Sequence, residues 1–161
     1  MSIERVRKYF EEMGIADKIM ELPESSATVE LAAQALGYTP ERIAKTISFY
    51  GEDGVILIVA AGDAKIDNKR FKEHFGLKAK MLSFEDAEKL IGHAVGGVCP
   101  FAVNDGVKVY LDESLKRFET VFPACGSSNS AAEFTCAELE LYAKPVGWAD
   151  VCKSWREEEK A

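Results

Sequence analysis

Histidine is scarce in this chain, and what there is does not cluster. Two histidines, His74 and His93, stand apart in 161 residues. No H-x-x-E-H stretch, Cys/His cluster or acidic box accompanies them, so neither a metal nor a cofactor is implied. A nucleophile–base–carboxylate constellation does not stand out either. His74 reads as a surface residue beside Phe71 and Phe75, and His93 as a neighbour of the glycine loop that follows it. The four cysteines, Cys99, Cys125, Cys136 and Cys152, include no C-x-x-C pair and read as free thiols of a reducing compartment. Long apolar runs are missing as well. The longest covers only residues 55–61, far short of the about 20 residues that a membrane helix needs. Residues 1–8 are too charged for a secretory core. We therefore expect a cytoplasmic protein without a membrane partner.

Positive charge is the minority sign. The net charge of −7 argues against a general nucleic-acid binder, whose affinity comes largely from phosphate contacts. The basic residues are unevenly spread, however. Between positions 64 and 80 six of them (Lys65, Lys69, Arg70, Lys72, Lys78, Lys80) face two acidic ones. Such a cluster suits a solvated helix face. It also suits a short landing strip for an RNA end, with Lys65, Lys69 and Arg70 as candidate backbone contacts.

The remaining pattern is that of one folded domain, 1–161, of alternating α and β elements. Helices are expected over 3–13, over 29–36 with Thr28 as N-cap and Gly37 as stop, over 68–75 with Asp67 as cap, over 84–91, and over 137–143. Strands are expected over 18–22, 42–50, 55–61, 78–82, 107–111, 120–122 and 131–135. The stretch 149–160 reads as a last helix. Residues 1–24 thus form an N-terminal helix and strand, and 144–161 a helical tail. With strands paired mostly as local hairpins, the class is α+β, with a mixed, partly closed, barrel-like sheet surrounded by helices.

One residue is out of place in this pattern. Alternation along the 42–50 strand puts Ile43, Lys45 and Ile47 on one face and Ala44, Thr46 and Ser48 on the other. A lysine on an apolar face loses hydration, which is costly unless it meets an acceptor or an anionic ligand. A sheet edge would instead let it snorkel to water. Two loops could supply complementary chemistry. Gly96, Gly97, Val98, Cys99, Pro100 and Phe101 form a glycine-led loop stiffened by proline, able to present N–H groups to an oxygen. The segment 126–130 offers further N–H and hydroxyl donors. Each loop alone also fits a plain turn.

Together, A-K-T-I at 44–47, G-D-A-K-I-D at 62–67, G-x-x-x-P at 96–100 and C-G-S-S at 125–128 resemble the YbaK/prolyl-tRNA-synthetase-associated domain family over about residues 25–143. The resemblance implies an α+β editing domain that hydrolyses the ester of wrongly charged tRNA. It implies the acceptor end of aminoacyl-tRNA as ligand and prolyl-tRNA synthetase as a candidate partner. Lys45, Gly96 and Pro100 are thereby expected at the 3′ aminoacyl-adenosine, with Gly97 beside them. Gly126 and Ser127 match a second pocket loop less tightly. Ile47, Val98, Phe101 and Phe134 are the expected wall of the pocket, and Cys99 a small apolar residue within it. Two other functions stay open on the residues alone. One is a non-catalytic module that binds aminoacyl-tRNA or a synthetase. The other is hydrolysis of a small acyl ester.

Overall fold

The computed structural model describes residues 2–25, 28–94 and 96–156. Helix α1, Ser2–Glu12, buries Val6 and Phe10 one turn apart, as an amphipathic stripe requires. Strand β1 is Met20–Glu21, and α2 is Val29–Leu36. The Thr28 hydroxyl caps α2 by accepting from the Leu31 N–H at 3.1 Å, and Gly37 closes the helix. The long strands β2, Ile43–Tyr50, and β3, Val55–Ala61, form a tight antiparallel hairpin in which Lys45 faces Ala60 across the ladder. After β4, Lys65–Ile66, comes α3, Asn68–Phe75, capped by the Asp67 carboxylate on the N–H groups of Lys69 and Arg70. Helix α4, Phe84–Asp86, runs into a π-helical turn at Ala87–Ile91.

The second half supplies β5 (Val107–Asp112), β6 (Thr120–Pro123), β7 (Ser130–Ala131), β8 (Phe134–Thr135), α5 (Cys136–Ala143), β9 (Gly147–Ala149) and β10 (Cys152–Lys153). Six strands make one curled, mixed sheet in the order β8-β6-β2-β3-β5-β9. Its pairs β2–β6, β3–β5 and β5–β9 are parallel. Every residue of β3 is buried, because apolar groups cover both faces of the sheet. Leu57 and Val59 pack with Phe10, Phe101 and Phe134 on one side, and Ile56 and Ile58 with Phe49 and Phe71 on the other.

Four expectations need correction. Local hairpins do not dominate, since parallel pairing through crossovers builds most of the sheet. Residues 78–82 are not a regular strand; the stretch touches β2 through the single bridge Phe49–Met81. The expected strand at 131–135 is two short pieces, β7 and β8, pairing with β1 and β6 respectively. The C-terminal stretch is extended rather than helical as far as it is described. There the Val151 N–H donates to the buried Asp112 carboxylate at 3.0 Å, and the Val151 carbonyl accepts from the Asp67 N–H at 2.8 Å. Backbone groups held from the side in this way are lost to a helical ladder. Residues 157–160 of that expected helix lie outside the described residues.

Candidate active site

The sheet splits beside Lys45. Parallel pairing of β2 with β6 ends at Ala44–Pro123. Further along the same edge of β2, the Ser48 carbonyl accepts from the Leu82 N–H at 3.2 Å, and the Tyr50 N–H donates to the Lys80 carbonyl at 2.9 Å. Backbone groups of every second residue point to one edge, so those of Ala44, Thr46, Ser48 and Tyr50 share this one. Among the described residues no strand covers Thr46. A cavity of about 270 Å³ fills the gap, bordered by Lys45, Thr46, Ile47, Gly96, Val98 and Ser130. Val29 and Ala32 of α2 close one side, and Met81 and Phe84 stand at its border, 64% and 77% exposed.

Lys45 is half-buried, and loss of hydration lowers its pKa from the ordinary lysine value, partly offset by the carboxylates of Asp63 and Glu30. The Cys152 thiol also lies nearby, but burial pushes its own pKa well up, so it stays neutral and lends no charge near neutral pH. The ammonium group donates to the Gly62 carbonyl at 3.3 Å. Two of its three N–H groups remain for a ligand among the described residues. Gly62 has a steric reason to be glycine, because a Cβ there would come 1.9 Å from the Pro40 carbonyl oxygen. The G-D-A-K turn is therefore pressed against the segment leading into β2, which fixes the acceptor that orients Lys45.

The two glycine loops meet back to back. A Cβ on Gly97 would sit 2.8 Å from the backbone of Gly126. The Gly97 N–H is spent on the Ala94 carbonyl at 3.0 Å, so Gly97 locks the loops together rather than presenting a donor. Gly96 and Val98 border the cavity, and their N–H groups are the loop's remaining candidates. Ser127 reaches the cavity at second hand, its hydroxyl 2.8 Å from that of Ser130.

Other expected site residues lie behind the wall. Cys99 and Phe101 are fully buried, Phe101 packing edge-on against Phe10 and Phe134. Pro100, Gly126 and Phe134 are buried too, away from the cavity lining. Of the basic cluster, Lys65 and Lys69 face solvent, whereas Arg70 is held by Asp150 at 3.2 Å and Asp67 at 3.8 Å. Sequence reasoning missed Thr46, Met81 and Phe84, whereas Ser130 belongs to the 126–130 segment expected to supply donors. A large exposed aromatic beside a helix cap was the one local signal for Phe84. The others border the cavity only because β2 and β6 diverge.

Comparison with known proteins identifies the family. Residues 23–141 match the aminoacyl-tRNA editing domain. The chain is 54% identical to the uncharacterized Bacillus subtilis protein YwhH, over 96% of this chain and 99% of that one. It is 30% identical to the proline–tRNA ligase of Kosmotoga olearia, over 62% of this chain but 18% of the ligase. A solved structure described as that of a proposed trans-editing enzyme for prolyl tRNA synthetase superposes with a TM-score of 0.84. That pair is 32% identical, covering 93% of this chain and 96% of the other. The chain belongs to the aminoacyl-tRNA editing domain family.

Proposed function

We propose that this protein is a hydrolase that removes a wrong amino acid from the 3′-terminal adenosine of tRNA, with mischarged tRNAPro as its substrate. The observation that carries the reading is the split between β2 and β6. It brings a lysine with unspent donors and a glycine loop to one cavity in a chain of the editing family. A synthetase pocket separates amino acids that differ by one methylene by only about 1–3 kcal/mol, so a second, hydrolytic sieve is needed.

In this reading Lys45 donates to a phosphate or carbonyl oxygen of the acceptor end and sets the ester beside the 96–98 loop. Water attacks the ester carbonyl carbon. The charge that develops on the carbonyl oxygen is met by the N–H groups of Gly96 and Val98. The bond to the 3′ oxygen then breaks, that oxygen takes a proton, and the products are a free amino acid and uncharged tRNA. The exposed ring of Phe84 offers a stacking face for an unpaired base of the acceptor end, and Lys65 and Lys69 are contacts for its backbone. Prolyl-tRNA synthetase, whose product would be corrected, is the expected partner.

The test is a deacylation screen over tRNAPro charged with proline and with several other amino acids. We expect release of at least one non-cognate amino acid, sparing of prolyl-tRNA, and binding that weakens steeply as salt rises. Inertness toward every charged tRNA, or turnover of small esters that ignores salt, would overturn the reading.

A further inference from the structure

Asp63 follows Gly62, whose carbonyl accepts from Lys45, and its carboxylate attracts the same ammonium group. A carboxylate in such a place tends to pair with the ammonium and take the donors that a ligand would use. Here it is already engaged. Both of its oxygens accept from Arg117, Oδ2 from Nη1 at 2.9 Å and Oδ1 from Nη2. A bidentate pair fixes the plane of the carboxylate as well as its place. The guanidinium is held in turn by its own neighbours. Nε donates to the Ser114 carbonyl at 3.0 Å and Nη1 also to the Trp155 carbonyl at 3.3 Å. Its central carbon lies 4.7 Å from the centre of the Phe118 ring and 5.0 Å from that of Trp155. Open surface pairs contribute little, but these side chains are only 24% and 18% exposed and their geometry is fixed. The same helical turn, Glu113–Arg117, grips the chain two residues earlier, where the Ala61 N–H donates to the buried Ser114 hydroxyl at 3.1 Å. Three successive residues are thus held: Ala61 by Ser114, Gly62 against Pro40, and Asp63 by Arg117. The other groups that act on the Lys45 ammonium are the neutral Cys152 thiol of β10, the exposed Glu30 of α2 and Lys65 of β4.

We propose that Arg117 is a positioning residue: by holding the Asp63 carboxylate, it keeps that group from pairing with Lys45 and leaves the remaining ammonium donors open to the substrate. This rests on the function proposed above but is read by a second, independent measurement. Lys45 is titrated by carbon-13 NMR at Cε, its signal assigned by its loss in Lys45→Met, beside single-turnover deacylation of mischarged tRNAPro at neutral pH. Arg117→Met keeps an apolar stem against the two rings and removes the grip on Asp63. In it the Lys45 pKa should rise, because an opposite charge is released toward the ammonium. The rate should fall about tenfold, the size of a lost hydrogen bond to a charged group. Adding Asp63→Asn should cancel the rise and restore most of the rate, since the competing charge is gone while the lost packing is not. A merely structural Arg117 predicts no such recovery. Arg117→Lys, which keeps the charge but not the two-pronged contact, should fall between wild type and Arg117→Met in both readouts. A Lys45 pKa that rises in neither Arg117 variant, or a rate that Asp63→Asn does not recover, would overturn the proposal. Failure of the function proposed above would appear separately, as a wild type that deacylates no tRNA while the Lys45 titration still responds to Arg117.

Discussion

The two sides of the 96–101 loop treat polar groups in opposite ways. Behind the loop, His93 and Cys99 are fully buried. The His93 Nε2–H donates to the Phe101 carbonyl at 2.8 Å, and the Cys99 sulfur lies 3.6 Å from the same nitrogen. Burial pushes the His93 pKa down and that of Cys99 up to about 12, so both stay neutral. A reactive cysteine needs the opposite environment, one that stabilises thiolate. In front of the loop, Lys45 carries a similar penalty but borders open space. The lesson is that spacing within a Cys–His pair says little about reactivity. Access to a cavity separates a sealed polar cluster from a site.

The comparison can be broken hardest at the glycines that hold the front side in shape. Gly62→Ala would drive a methyl group into the Pro40 carbonyl and displace the acceptor of Lys45. We expect a stability loss of about 1–3 kcal/mol and a fall in deacylation of about a hundredfold, on the scale of a lost transition-state contact. Denaturant midpoints and single-turnover rates check both; a variant of normal rate would mean that the turn does not position Lys45. Next comes Phe84→Ala. Because this ring is largely exposed, the fold should be unaffected, whereas KM for charged tRNA should rise about tenfold, the worth of one stacked base. An unchanged KM would remove Phe84 from the site.

The smallest effect on activity is expected behind the loop. His93→Gln should leave the deacylation rate and its pH profile near those of the wild type. It should instead alter how stability depends on pH. The folded-state pKa of His93 lies below its unfolded value, so the unfolded chain binds the extra proton first and stability is lost as pH falls below about 6.5. Thermal midpoints between neutral and mildly acid pH should fall less in His93→Gln than in the wild type. A shifted pH–rate profile would instead place His93 in the chemistry.

Much of the scaffold was legible in the sequence because it rests on local signals. Thr28, Asp67 and Ser83 cap helices through their own side chains, and Gly37 and Gly76 end two of them. The unbroken apolar run of β3 announced a strand. The tail at 149–156 was not legible, because a distant buried carboxylate, Asp112, decides its conformation. At the site, alternation correctly separated the faces of Lys45 and Thr46. It could not show that β6 pairs with only the first two residues of β2. That non-local event opens the cavity, and it turns Thr46 from a small strand residue into part of its wall.

Lys45 offers the most direct test. Its folded-state pKa is lowered mainly by burial, so the wild type carries a cost for the ammonium group. That cost is full below the folded pKa and fades as pH rises toward the unfolded value. Lys45→Met removes both the cost and the donor. Single-turnover deacylation of mischarged tRNAPro, measured beside the thermal midpoint at neutral pH, should show a loss of about a hundredfold or more in a protein that melts at or above the wild-type temperature. A Lys45→Met protein that deacylates at close to the wild-type rate would contradict the assignment of this cleft as the active site.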